Sequence, residues 1–174
     1  LPKTAWPPTC AVIRACSTSD GQLWGLPSSY NIDTLVGKTD TLGGRTSWTF
    51  SEMIEFAKTL PEGTTLMQGL SQQSAFYQLD GFFTQFIDLK NNTCDFENEN
   101  FYNILNFIAS LPAEYDYSAD RNRDNRYEKF QNGQIALYSM HLRDAASILE
   151  PECVFNTKDY TFIGFPTYGD NTRG

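Results

Sequence analysis

Residues 132–166 read NGQIALYSMHLRDAASILEPECVFNTKDYTFIGFP. Asn132-Gly133 is a turn signal, and the apolar run after it predicts a strand over 134–140. A helix is expected over 141–150, closed by Pro151, which cannot continue it. A last strand follows over 160–165, and an exit loop over 166–174. Strand, helix and strand in that order point to an α/β or α+β fold, the former expected, with a small mixed sheet flanked by helices on both faces.

Upstream, Thr49-Phe50-Ser51-Glu52 is a capping box. The threonine hydroxyl takes an orphan amide and the glutamate reaches back to the cap. The helix it opens carries Met53, Ile54, Phe56, Ala57 and Leu60 on one side and stops at Pro61 and Gly63. A second helix is expected over 72–89, with Phe76, Leu79, Phe82, Phe83, Phe86 and Ile87 as its apolar face, ended by Asn91-Asn92. A third runs from after Asn98 to Ser110, stopped by Pro112. The polar stretch 115–126 reads as a solvated loop leading to a short helix around 127–131. Nearer the start, Asp20-Gly21 reads as a turn between extended runs at 11–15 and 22–26, and 30–36 as an alternating strand.

The totals bound the function. A chain of 174 residues fits one domain, with 40 % hydrophobic and 20 % charged residues, a globular balance. Thirteen basic residues face 21 acidic ones, a net charge of -8, which argues against nucleic acid and against an anionic membrane surface as partner. No stretch approaches the roughly 18 apolar residues of a membrane span. Cys10, Cys16, Cys94 and Cys153 lack the close pairing of a structural zinc site. A Cys10–Cys16 bridge remains open beside four reduced, mostly buried thiols, the reading preferred here.

Most catalytic constellations are missing. His141 is the one histidine, and neither a nucleophile elbow nor a phosphate loop is present. Glu97 with Glu99, or Asp120 with Asp124, lie in polar settings where acids stay solvated. No cofactor, metal or catalytic residue is expected. The candidate ligand-binding residues are Tyr30, Trp48, Gln72, Met140, His141 and Tyr168. They fall near helix starts and strand ends, where ligands of open α/β sheets collect. Aromatic rings there offer flat platforms for a sugar's apolar face, and amides satisfy its hydroxyls. Trp48 reads equally as a hydrophobic staple over its helix, Met140 on its strand as core, and His141 as a structural cap or an exposed helix-start residue.

The order of these segments resembles the extracellular solute-binding proteins that serve sugar-type ABC importers. Asp20-Gly21-Gln22-Leu23-Trp24-Gly25-Leu26-Pro27 is similar to their crossover, and Trp48-Thr49-Phe50-Ser51-Glu52-Met53 to one of their helix starts. The segment from Thr93 to Phe101 and the run Phe130-Gln131-Asn132-Gly133-Gln134-Ile135-Ala136-Leu137 follow in the same order. Gly164-Phe165-Pro166 resembles the exit.

The resemblance implies one lobe of a periplasmic-binding-protein-like fold of type II. Residues 1–174 would be a single domain, the carboxyl-terminal lobe with its crossover segment, and the amino-terminal lobe would be absent. It implies non-catalytic capture of a small-molecule solute, most often a sugar, for an ABC permease reached through the full-length protein. That protein would be extracellular, lipid-anchored at the cell surface or periplasmic, with no membrane insertion of this chain. The cleft would be faced by 27–30, Trp48, Met140, His141 and 166–169. A carbohydrate-active enzyme domain and a structural surface-protein domain are the alternatives.

Overall fold

The structure, a computed structural model, describes residues 31–79, 83, 86–88, 91–118 and 127–166, and the backbone alone of 18–19, 22–23, 119–120 and 123–126. The chain divides into two compact units, Leu1–Ile32 and Asp33–Gly174. In the first, β1 (Thr18–Ser19) pairs antiparallel with β2 (Gln22–Leu23), Ser19 opposite Gln22, so the pairing brackets the Asp20-Gly21 step. The expected run at 11–15 lies outside the described residues.

The second unit is built on a four-stranded mixed sheet. Its strands are β3 (Ile32–Lys38), β4 (Thr65–Met67), β7 (Ile135–Leu142) and β8 (Tyr160–Phe162), in the order β4-β7-β3-β8. β4 runs parallel to β7, with Thr65 opposite Ile135 and Met67 opposite Leu137. β3 and β8 are antiparallel, Val36 facing Phe162. A small hairpin, β5 (Ile87–Asp88) with β6 (Thr93–Cys94), stands apart from this sheet.

Helices cover both faces. One buried cluster packs Leu35, Leu137 and Ile163 of the sheet region against Met53 and Phe56 of α2 (Phe50–Thr59), Ala75 of α3 (Gln72–Gln78) and Ile104 of α4 (Glu99–Ala109). α1 (Thr39–Leu42) adds Leu42 to it. The other cluster joins Val36, Ile135 and Met140 to Phe130 of α5 (Arg123–Gln131) and to Val154 and Phe155 of α6 (Glu150–Phe155). Leu35 and Val36 are neighbours in β3 and enter opposite clusters, because successive strand residues point to opposite faces.

That layering corrects the alternation expected of β3. The strand is buried from Thr34 to Gly37 rather than at every second residue. A central strand covered on both sides has no solvated face for polar residues to mark. Gly37 fits this place: an added Cβ would meet Ala136 O of β7 at 3.2 Å.

Further expectations change. The helix predicted over 72–89 ends in the structure at Gln78, and Ile87 belongs to the β5–β6 hairpin, whose turn includes Asn92 at φ 52. Phe76, assigned to the apolar face, is 52 % exposed and stacks on Phe83 at 5.1 Å. The helix predicted over 141–150 does not form: His141 continues β7, and Asp144 caps a 3-10 turn, Ala145–Leu149. Pro151 then sits in the first turn of α6 instead of closing a helix. Its missing N–H is no loss there, since that amide has no intrahelical partner. The loop expected over 115–126 contains a 3-10 turn, Tyr117–Asp120, and the first residues of α5. The last strand stops at Phe162. Cys94 and Cys153, expected to be buried, are exposed free thiols.

Candidate binding edge of the sheet

One edge of the sheet gathers the polar groups. β7 ends there at His141 and Leu142, and β4 ends on the same side because it runs parallel. The start of β3 is also there, since Asp33 contacts His141. The chain leaving β8 passes it too, as Ile163 N donates to Leu35 O at 2.9 Å. Two helices begin at this edge. The capping box of α2 forms as the sequence predicts: Glu52 N donates to Thr49 Oγ1 at 3.3 Å, and Thr49 N to Glu52 Oε2 at 2.7 Å. α3 has a second box that the sequence reading did not identify, between Ser71 and Ser74. Serine there stands in for the usual glutamate.

The start of α3 is not an open anion site. Gln72 N donates to Pro112 O at 2.8 Å, Gln73 N to Ala113 O at 3.4 Å, and Ser74 N to Ser71 Oγ at 3.2 Å. With those amides satisfied internally, the start of α3 offers no free N–H groups to an anion.

The sequence-chosen residues occupy different depths. Trp48 is wholly buried, its ring 5.6 Å from that of Phe56, and its Nε1–H donates to Gly164 O at 2.9 Å. It ties the start of α2 to the chain leaving β8 from beneath the edge. Met140 is 2 % exposed and packs in the α5–α6 cluster. Gln72 is exposed, and its Nε2 donates to Ala109 O at 3.1 Å and Leu111 O at 2.9 Å, closing the end of α4. His141 is exposed, with Nδ1 on Asp33. Tyr30 and Tyr168 lie outside the described residues.

Two edge features went unread in the sequence. Asp33 sat inside a strand with nothing to mark its partner. Tyr117 stood in a stretch read as a solvated loop, yet a Cβ built on Gly69 would lie 2.7 Å from its hydroxyl. The turn after β4 therefore has a glycine where Tyr117 packs, with φ +72. The Tyr117 ring is 55 % exposed and meets Tyr115 edge-on at 4.9 Å. Two tyrosines one residue apart in a polar run were the available signal.

Asp144 completes the exit from β7. Its carboxyl is held below the ordinary aspartate range, first by the Ser147 backbone N–H and then by the Ser147 hydroxyl, with Arg143 adding a smaller attraction. Among the described residues no group of three or more histidine, cysteine or acidic side chains could hold a metal.

A hollow lies between α2 and α4. It encloses about 370 Å³ and is lined by Ile54, Ala57, Leu66, Met67, Phe107 and Leu111 among others. Lys58, Thr64, Thr65, Ser110 and Tyr115 also line it, but most of the wall is apolar, and each solute hydroxyl left unpaired there would cost about 1–3 kcal/mol. The polar edge is the better candidate.

Solved structures match this fold. The chain has a TM-score of 0.53 to the GacH receptor of Streptomyces glaucescens, solved unliganded and with acarbose, at 17 % identity over 93 % of this chain and 44 % of that one. It scores 0.54 against the sugar-binding protein MalE of Xanthomonas citri, at 17 % identity, covering 89 % of this chain and 42 % of that one. An extracellular solute-binding protein of Staphylococcus aureus, in complex with maltose, also scores 0.54, at 13 % identity over 89 % and 43 %. The chain thus spans less than half the length of these proteins. No protein-family profile matches the sequence, and neither does any curated protein. The resemblance read from the motifs holds at the level of fold: the chain folds like one lobe of these periplasmic-binding-protein-like structures. No helix among the described residues is long and apolar enough to cross a membrane.

Proposed function

We propose that this chain is the carboxyl-terminal, non-catalytic lobe of a solute-binding protein that captures a carbohydrate for an ABC-type importer. The observation that carries the reading is the edge itself. Supporting it, Asp33 meets His141 where β7 ends, Tyr117 packs on Gly69 in the turn after β4, and the fold matches that of solved sugar-binding proteins. In this reading Gln72 and His141 contact the solute, and Trp48 and Met140 support the edge from below. Tyr30 and Tyr168, outside the described residues, are proposed as further solute contacts. The permease is met by the two-lobed protein, outside the cytoplasm and either lipid-anchored or periplasmic.

Half a cleft makes only part of the contacts, so the lobe alone binds weakly and hinge closure with a second lobe supplies the rest. A thermal-shift screen of oligosaccharides, polyols, amino acids and polyamines tests this on the two-lobed protein. A ligand at a hundred times its dissociation constant stabilises by about 2.7 kcal/mol, several degrees for a protein of this size. A shift with sugars alone supports capture. Turnover of a glycoside without any shift would replace it with the enzyme reading.

A further inference from the structure

We infer that the aromatic face built from α3, the β5–β6 hairpin and the start of α4 docks a partner protein through a cationic, apolar segment of that partner, with arginine or lysine beside leucine-like side chains. The inference uses other residues than the capture reading and does not rest on it. Four rings run in a continuous file across these elements. Phe76 of α3 stacks on Phe83 with centroids 5.1 Å apart, Phe83 meets Phe101 of α4 at 6.1 Å, and Phe101 meets Phe96 at 4.9 Å. Phe86, buried and 5.3 Å from Phe101, anchors the file to the core. Its ends stay in solvent: Phe76 is 52 % exposed and Phe96 42 %, with Ile87 of the same hairpin at 40 %. Single exposed apolar side chains are ordinary, whereas rings in mutual contact that remain wet mark a surface made for a partner.

Charge decides the partner's chemistry. From Thr59 to Asp120 nine acidic residues stand against Lys90 alone, and acidic and basic residues balance over the rest of the chain. The whole net charge of -8 therefore comes from the stretch that carries this face. Asp95 and Glu97 flank Phe96, Glu99 precedes Phe101 by two residues, and all three carboxylates are exposed. Asp95 accepts the Asn98 amide at 2.8 Å, while Glu97 and Glu99 form no ion pair among the described residues. An apolar partner would leave these carboxylates desolvated and unpaired. Guanidinium or ammonium groups pair with them and also lie favourably over phenyl faces. An anionic membrane is repelled by the same charge.

Two peptides of equal charge test this on the full 174-residue chain, one alternating arginine with leucine and the other arginine with serine. The arginine–leucine peptide should bind about tenfold tighter than its partner, because only it buries apolar area on the rings. It should shift the backbone amides of Phe76, Ile87 and 94–102, and weaken as salt rises. Phe96→Ser and the double variant Glu97→Gln with Glu99→Gln should each lower its affinity about fivefold, with thermal melts nearly unchanged because these side chains are exposed. Equal binding of the two peptides, wild-type affinity in either variant, or shifts centred on other residues would overturn the inference. Attachment to phosphatidylcholine vesicles that Phe96→Ser abolishes would make the face a membrane contact and overturn it too.

Discussion

The indole N–H of Trp48 donates to the carbonyl of Gly164 at 2.9 Å, joining the start of α2 to the segment that follows β8. With the ring fully buried beside Phe56, this bond and the packing act together. Trp48→Phe leaves the half-buried Gly164 carbonyl without its donor and should cost about 1 kcal/mol. Trp48→Ala adds a cavity and should cost about 3–5 kcal/mol. Urea unfolding of the two variants checks the order and the gap between them.

Gly69 and Tyr117 should be energetically coupled. Gly69→Ala places a methyl group 2.7 Å from the tyrosine hydroxyl at a backbone φ of +72, so backbone strain and a clash coincide. The loss should exceed about 1 kcal/mol. Removing the hydroxyl with Tyr117→Phe should recover part of it, and the double-mutant cycle should give a coupling of about 0.5 kcal/mol or more. Additive losses would mean that strain alone explains the glycine.

Thr49→Ala removes the side-chain half of the α2 capping box and should destabilise by about 1 kcal/mol. Thr49→Ser keeps the acceptor and should cost less. Thermal melts of both variants, run side by side, test the cap without touching the core.

Asp144 predicts a pH dependence of known sign. Its folded-state pKa lies below the ordinary aspartate value of 3.8, chiefly through the Ser147 amide. Its ionised form therefore contributes stability above that value, and the contribution fades as pH falls through the lowered folded pKa. Asp144→Asn, which still caps but does not titrate, should flatten the acid limb of the stability–pH curve. Unfolding midpoints measured from neutral pH into the acid range decide it, and an unchanged slope would remove Asp144 from the account.

Local chemistry was the part of the fold that sequence made legible. The α2 capping box, the Asn98 cap of α4 and the strand after Gly133 each rest on residues within one turn of the feature they specify. Reading failed where distant partners decided the outcome. The phenylalanines of 76–87 repeat with a helical period, but Ile87 pairs across a hairpin with Cys94. His141 stays extended beside Asp33, and the turn begins only at Asp144, whose capping role went unread. At the candidate site, helix starts and strand ends located the edge. Burial separates Trp48 and Met140 from Gln72 and His141, in line with the staple reading of the first and the core reading of the second.

The most direct test is a backbone-amide NMR titration of this chain with maltose, which detects binding even in the millimolar range, about −4 kcal/mol. The account predicts saturating shifts confined to the carboxyl edge: Asp33 and Thr34, Ser71 to Ser74, Tyr117, and His141 to Asp144. Shifts centred on the α2–α4 hollow would contradict it, as would none with maltose, D-mannitol or acarbose.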